Sequence, residues 1–442
     1  MRKILKKSFL GLSVFIASQN ALAIDFLQAY EQAKKNDPQI LAASFEYQAA
    51  LSTRSQTKSA LLPNLTLGVF SQQIEQQRNS LSNLVSNPVN NYDSSGYRLS
   101  LTQSIYNHDL YLKLEQTDLN IAAAVVNFDA EKQALIVRVA EAYYSVLAAG
   151  DNLEFAQAEK NAIGQQLNQS KSRFEVGLIA ITDVKESQAQ YDLSVASEIQ
   201  AENLLSSNRE TLRSIIGELP VSLNVLVKQI PLVIPEPANI NQWVETAKKN
   251  NLSLKSAKYA FDIANKQISI EQSAHYPSLN LSLKYDDVNL KPANTASVAS
   301  EDTSISLNLS IPIYSGGLTS AKTRVAVLQK ERSKALREKA LRDTIKLSRD
   351  SYLGVTTAIA QVNAFKQALI STQSAYEATQ AGFEVGTRTT VEVLSVLREQ
   401  YKAERDYAKA RYDYILNVLK LKQAAGILSV QDVVEVNRWL KH

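Results

Sequence analysis

Ser304-Ile-Ser-Leu-Asn-Leu-Ser-Ile311 alternates strictly between a small polar residue and a branched aliphatic one. A period of two puts the Ile and Leu side chains on one face of an extended strand and the Ser and Asn side chains on the other. Three further stretches read the same way: Asn64-Leu-Thr-Leu-Gly-Val69, Arg98-Leu-Ser-Leu-Thr-Gln-Ser-Ile105 and Ser278-Leu-Asn-Leu-Ser-Leu-Lys-Tyr285. Any one of them alone fits an antiparallel sheet with one buried face. Taken together they point to a membrane. Each run is about ten residues, the length of a tilted membrane strand. Long polar loops, 73–95 and 286–302, join them in pairs, and Tyr97, Tyr106, Tyr276, Tyr285 and Tyr314 fall near their ends, where an interfacial aromatic girdle would lie.

Four such strands cannot close on themselves. Unpaired backbone N–H and C=O groups in lipid cost several kcal/mol each, and bacterial barrels start at eight strands. A barrel must therefore be shared between chains. Two copies would give eight strands and three would give twelve; physics alone does not choose.

The rest of the chain reads as long helices. Residues 89–219 and 313–442 contain no proline, whereas Pro220, Pro231, Pro235 and Pro237 crowd into 218–240. Leu153, Ala156, Lys160, Ile163, Leu167, Ser170 and Phe174 follow the 3-4 heptad spacing, and Val362, Phe365, Leu369, Thr372, Tyr376, Thr379 and Phe383 repeat that frame 209 residues later. Gly177 and Gly386 stand where a helix C-terminus needs a glycine. Thr389-Thr-Val-Glu392 is a capping box for the next helix, and Asp183-Val-Lys-Glu186 offers a similar start. The expected helical hairpins are 150–217 and 359–425. Residues 107–175, as one helix, would run roughly 100 Å, with Ala148-Ala-Gly150-Asp151 as a soft point. Residues 25–62 and 183–217 would form a second column.

The two halves repeat. Gln28-Ala-Tyr-Glu-Gln-Ala-Lys-Lys-Asn36 returns as Gln242-Trp-Val-Glu-Thr-Ala-Lys-Lys-Asn250, and Phe174-Glu-Val-Gly177 as Phe383-Glu-Val-Gly386. Ser59-Ala-Leu-Leu-Pro63 and Leu101-Thr-Gln-Ser-Ile-Tyr106 likewise have counterparts around Pro277 and at Leu309–Tyr314. A period this long means duplication of a whole structural unit rather than a solenoid. The expected division is 24–235, with strands near 64–72 and 96–106, and 236–442, with strands near 278–288 and 303–313 and a C-terminal equatorial segment.

Ahead of the first unit, residues 1–23 read as a signal peptide. Arg2, Lys3, Lys6 and Lys7 precede the apolar run Phe9–Ala17 and the small-x-small site Ala21-Leu22-Ala23. Without those four cations, basic and acidic residues balance at 44 each, so the pI near 8.8 is no argument for nucleic acid. No later stretch reaches the ~18 apolar residues of a spanning helix. The absence of cysteine among 442 residues excludes disulfides, thiolate metal sites, a Cys nucleophile and a lipid-bearing Cys. His108 and His275 stand apart from other ligand types, so no metal is assigned, and no nucleotide, hydrolase or metalloprotease motif occurs.

With Phe174-Glu-Val-Gly-Leu-Ile-Ala-Ile-Thr-Asp-Val184 and Phe383-Glu-Val-Gly-Thr-Arg-Thr-Thr-Val-Glu-Val393 as its most specific motifs, the chain resembles the TolC family of outer-membrane efflux and secretion ducts from Ile24 to about Leu428. The resemblance implies a mainly α fold with membrane β. A homotrimer would hold a twelve-stranded barrel in the outer membrane of a Gram-negative bacterium, a twelve-helix tube across the periplasm, and a mixed equatorial belt containing 218–240 and the C-terminus. It implies no catalytic site and no cofactor. The duct would be a passive conduit for drug efflux or type I protein secretion, recruited by a periplasmic adaptor and an inner-membrane transporter of the RND, ABC or MFS class.

Residue by residue, the resemblance makes Val176, Gly177, Leu178, Val385, Gly386 and Thr387 the adaptor-docking tips. Thr182 and Asp183 would latch to Arg388, and Phe383 replaces the family's tyrosine, losing a hydroxyl bond to Asp183. The pore constriction maps to Glu392 and Ser395, one carboxylate ring where the family usually has two. The competing readings are a soluble periplasmic coiled-coil adaptor or scaffold, and a secreted hydrolase. The first lacks an inner-membrane anchor and a lipoyl-like β domain; the second lacks a nucleophile–base constellation.

Overall fold

The computed structural model describes residues 23–77, 89–218, 222–292 and 296–441. The expected leader lies outside them apart from Ala23. Its elements are α1 (Phe26–Asn36), α2 (Pro38–Ser59), β1 (Asn64–Gln77), β2 (Val89–Asn107), α3 (His108–Glu175), α4 (Ile181–Ile216), α5 (Ile240–Asn250), α6 (Leu252–Ser273), β3 (Ser278–Pro292), β4 (Val298–Ser310), α7 (Leu318–Glu384), α8 (Thr390–Ala424) and α9 (Val430–Asn437). The succession helix-helix-strand-strand-helix-helix occurs twice, and α9 follows it.

The strands form one antiparallel sheet in the order β1-β2-β3-β4. Register aligns Leu65, Leu101, Leu283 and Ile305 in one row, and Leu67, Leu99 and Tyr285 in the next. The opposite face carries Thr66, Ser100, Lys284 and Ser304. A register shift between Ser104 and Tyr106 turns Tyr106 onto the aliphatic face beside Leu279. That face lies open: Val69 is 78% and Ile305 71% exposed. From Tyr97 to Tyr106 the strand advances about 30 Å, and a tilt of about 40° makes this an apolar band about 23 Å tall between tyrosines. Among the described residues, neither outer edge, β1 or β4, has a strand beyond it.

The strands are longer than the expected ten residues, at 14, 19, 15 and 13. They extend into the stretches expected as loops, 73–95 and 286–302. The antiparallel ladder propagates through Ser, Gln and Asn because every further residue pairs its backbone with a partner already held in register.

Below the sheet, α3 and α7 contain 68 and 67 residues, each about 100 Å long. The chain stays helical through Gly150. Each long helix packs antiparallel on its hairpin partner, α3 on α4 and α7 on α8. The column opposite is built from two pieces, since α1 stops at Asp37 and α2 starts with Pro38, which supplies no N–H and suits a first turn.

The core lies around the middle of the long helices. Phe26, Tyr143, Tyr144 and Tyr412 interlock with ring centroids 5.4–5.9 Å apart. Trp439 stacks on Tyr414, and isolated bridges join Ile24 to Leu223 and Leu226 to Leu440. This is the mixed belt, with segment 222–239 and the C-terminal α9 wrapped on α3 and α8. Duplicate positions hold it by different chemistry. Buried Asp37 caps α2 and pairs with Arg138, while buried Asn251 caps α6 and donates Nδ2–H to the Ala424 carbonyl at 2.9 Å. Phe26→Ala empties a fully buried aromatic site, so it is expected to lower stability by about 3–5 kcal/mol. A fall in the thermal unfolding midpoint, read from tryptophan fluorescence in detergent, measures it.

Candidate functional site

The end of the molecule away from the sheet is formed by the two hairpin turns. At the first, Leu178 N–H reaches the Arg173 carbonyl at 2.9 Å and Gly177 N–H the Phe174 carbonyl at 2.9 Å. At the second, Thr387 N–H reaches the Gly382 carbonyl at 2.8 Å and Gly386 N–H the Phe383 carbonyl at 3.1 Å. Both are Schellman closures, which need a left-handed residue after the cap; Gly177 and Gly386 supply it with φ of 77° and 80°. The turns leave aliphatic side chains in water: Val176 is 69%, Leu178 72% and Val385 76% exposed. Thr387, at the place of Leu178, bonds its hydroxyl back to the Gly382 carbonyl at 3.0 Å.

The capping box at α8 forms as expected: Glu392 Oε2 accepts from Thr389 N–H at 2.8 Å, and Thr389 Oγ1 accepts from Glu392 N–H at 3.3 Å. The start of α4 is different. It begins at Ile181, two residues before the expected Asp183, and Asp183 itself is the third helical residue, accepting from Ala180 N–H at 3.3 Å. Ala180 has no side-chain acceptor, so only half a box forms there.

The expected latch residues are divided. Arg388, in the turn just before the α8 cap, donates to Glu392 Oε1 in the first turn of α8 at 2.8 Å. Among the described residues no hydrogen bond or ion pair joins it to Thr182 or Asp183. The nearby i,i+4 carboxylate takes the guanidinium, so Arg388 and Glu392 form one ion pair within the chain. The Thr389 N–H, followed by Arg388, holds the Glu392 carboxyl below its ordinary range. Ser395 is exposed one turn further on, and Thr182 is exposed on the first turn of α4. Phe383 is buried, and the Arg173 guanidinium lies 4.2 Å from its ring centroid, a cation–π contact between α3 and α7. The ring that lacks a hydroxyl thus receives a cation from the other hairpin.

Further links between the hairpins were not legible from sequence. Arg405 on α8 reaches nearly buried Glu159 on α3 at 2.8 Å, and Arg398 on α8 reaches Gln190 on α4 at 3.2 Å. Between them Ile163, Leu394 and Leu397 form a small core flanked by Tyr191, Tyr376 and Tyr401. Within the first hairpin, Lys160 pairs with Glu198 at 2.6 Å and Ser170 with Ser187 at 3.2 Å. The one available signal was Glu159 beside the heptad seam, a carboxylate where a helix pair buries its contact. Its partner is 246 residues away, beyond any local pattern. At the other end of α3, His108 meets Tyr276 edge-on at 4.9 Å. No cluster of three or more metal-ligating side chains occurs among the described residues.

A model of the family described as outer membrane efflux protein matches residues 29–218 and again 243–427. The outer membrane protein TolC of Vibrio cholerae is 39% identical over 100% of this chain and 99% of its own length. The alkaline protease secretion protein AprF of Pseudomonas aeruginosa is 28% identical over 98% of this chain and 90% of its own. The Campylobacter jejuni CmeC outer membrane channel superposes with a TM-score of 0.77 at 16% identity, covering 94% of this chain and 90% of that one. This chain belongs to the outer membrane efflux protein family, TolC-like in fold; it is a channel and not an enzyme.

Two outcomes test the tip. Arg405→Ala strands the nearly buried Glu159 carboxylate, a loss of about 3 kcal/mol, whereas Arg388→Ala removes an exposed pair at the start of α8. Chymotrypsin is therefore expected to cut the hairpin ends faster in the first variant than in the second. Glu392 has its folded pKa below the ordinary 4.5, so its contribution to the tip is complete above that pH and is lost as the pH falls through the lower folded value. Amide hydrogen exchange at the tip, corrected for the intrinsic pH dependence of exchange, should be flat from pH 8 to 5 and should rise only below about 4.5.

Proposed function

We propose that three copies of this outer-membrane chain pool their sheets into a twelve-stranded barrel, below which their helices form one tube across the periplasm. The observation that carries this reading is the four-stranded sheet with an uncovered aliphatic face and two free edges, attached to helices of about 100 Å. Two copies would satisfy the eight-strand minimum; the family resemblance selects three. The chain serves as a passive exit duct for tripartite drug efflux and type I protein secretion, in keeping with relatives named TolC and AprF. Its partners are a periplasmic adaptor and an inner-membrane transporter of the RND, ABC or MFS class. The adaptor reading of the chain itself has no support, since its relatives are outer-membrane proteins.

The aliphatic turns, Val176-Gly177-Leu178 and Val385-Gly386-Thr387, are the adaptor contacts: exposed, apolar and held rigid by their closures. Glu392 and Ser395 line the narrowest point, with Thr182, Asp183, Phe383 and Arg388 around it. In a trimer Arg388 already has a carboxylate four residues along its own hairpin, so closure rests on a ring of Arg388–Glu392 pairs rather than on a link from Arg388 to Asp183. The division into 24–235 and 236–442 is supported by the repeated order of elements and by two separate matches to one family model.

Oligomer mass in detergent, together with planar-bilayer conductance, tests the reading. A trimer with steady conductance is expected; a monomer without conductance refutes it. Glu392→Gln should reduce cation preference, moving the reversal potential in a salt gradient towards zero. An unmoved potential takes Glu392 out of the constriction.

A further inference from the structure

The sheet changes character above the tyrosines. Up to the row of Leu67, Leu99 and Tyr285, one face is aliphatic and the other carries Ser, Thr, Asn and Lys. In the next row of the aliphatic face, Val69 and Tyr97 are aligned with Asp287 and Glu301. Beyond it the same face presents Ser71, Ser95, Asn289 and Ala299, then Gln73, Asp93 and Lys291. The opposite face inverts in step. Above the row of Arg98, Asp286 and Asp302 it carries Phe70, Val288, Leu290 and Val298, interspersed with Gln72, Ser94 and Ser300, with Ile74 and Tyr92 beyond. No register shift intervenes, so the inversion is written in the sequence and is not produced by a bulge.

A glycine marks the changeover. Gly96 faces the side that turns apolar, and a Cβ added there would run into the Asp287 backbone carbonyl. The backbones of β2 and β3 therefore approach closely on that side at the row where polarity inverts, an approach that glycine permits. On the same side Phe70, Ile74, Tyr92, Val288 and Leu290 are half-buried, while Asn289 and Lys291 on the other side are exposed.

We infer that the strand ends beyond the membrane form an apolar mouth in which the inward faces of the three copies meet and narrow the exit. The inference rests on the trimeric duct proposed above. Within the bilayer the outward face is aliphatic because lipid lies outside and water inside. About 25 Å of β2 continues past Tyr97, and there water surrounds the outside, so the outward face is polar. A water-filled lumen would demand a polar inner face as well. The inner face is instead largely apolar, and the close backbone approach at Gly96 lies on that inner side. Its occupant is the same face of the neighbouring copies, continuous with the barrel interface beneath. The mouth is thus a second narrowing, apolar and at the exit, separate from the charged one at the hairpin tips.

The chain has no cysteine, so single thiols report the geometry without background. Leu290→Cys is expected to form disulfide-linked pairs of chains when the detergent-solubilised protein is oxidised with copper phenanthroline, and Lys291→Cys, facing outward, is not. In an Arg388→Ala parent, whose tip ring is opened, Val288→Asn with Leu290→Asn should raise conductance by about twofold or more while the trimer mass is kept. A trimer of normal conductance in which Leu290→Cys stays unlinked and the double Asn variant conducts like the parent overturns the mouth alone. A particle that is not trimeric overturns the duct reading, and the mouth falls with it.

Discussion

A backbone amide placed in hydrocarbon without a hydrogen-bond partner costs several kcal/mol, and a sheet edge presents a row of them. That penalty organises this molecule. Its four strands bring an aliphatic face suited to lipid but leave β1 and β4 open, so the isolated chain is not a finished structure. In the proposed trimer other copies cover those edges and fix the spacing of everything that hangs below, so that the long helices become a tube. The belt of buried aromatics then holds the helices at mid-height, where Phe26, Tyr143 and Tyr144 are almost fully excluded from water.

Much of this was legible because the signals are local. Alternation at Asn64–Val69 and Ser304–Ile311 exposes a pleat directly. A glycine after a long proline-free run marks a turn, and Thr389 with Glu392 encodes a cap within four residues. The ends of the strands were not legible. Gln, Ser and Asn dominate 73–95 and 286–302, and composition alone makes these loops. The alternate apolar residues inside them, Ile74, Tyr92, Val288, Leu290 and Val298, have the opposite parity to the leucines, so a search for one continuous aliphatic face passes over them.

At the tips the same distinction holds. The caps and closures follow from neighbours in sequence, and the structure has them. The pairing of Arg388 with Glu392 within the chain likewise follows from local spacing, since the two stand four residues apart. The pairing of Arg405 with Glu159 and of Arg173 with Phe383 joins positions more than 200 residues apart. Only packing creates such contacts. Their residue types are ordinary for solvated helix faces, and burial alone separates Glu159 from the other glutamates of α3.

The gradient along the molecule gives its motions a direction. In the belt, aromatic rings interlock and a buried carboxylate is matched by an arginine. Near the tips the corresponding core shrinks to Ile163, Leu394 and Leu397, and the last turns carry aliphatic side chains in water. Local opening draws on the regions with the least buried apolar surface, so hairpin separation begins at the turns and stops at the belt. The two hairpins also differ where duplication would have left them alike. Leu178 keeps the first turn apolar, while Thr387, Arg388 and Glu392 make the second polar and charged. Duplication supplied two turns with one backbone closure, and their side chains have diverged: Val176 and Leu178 leave the first apolar, while the second keeps Val385 in water beside the Arg388–Glu392 pair.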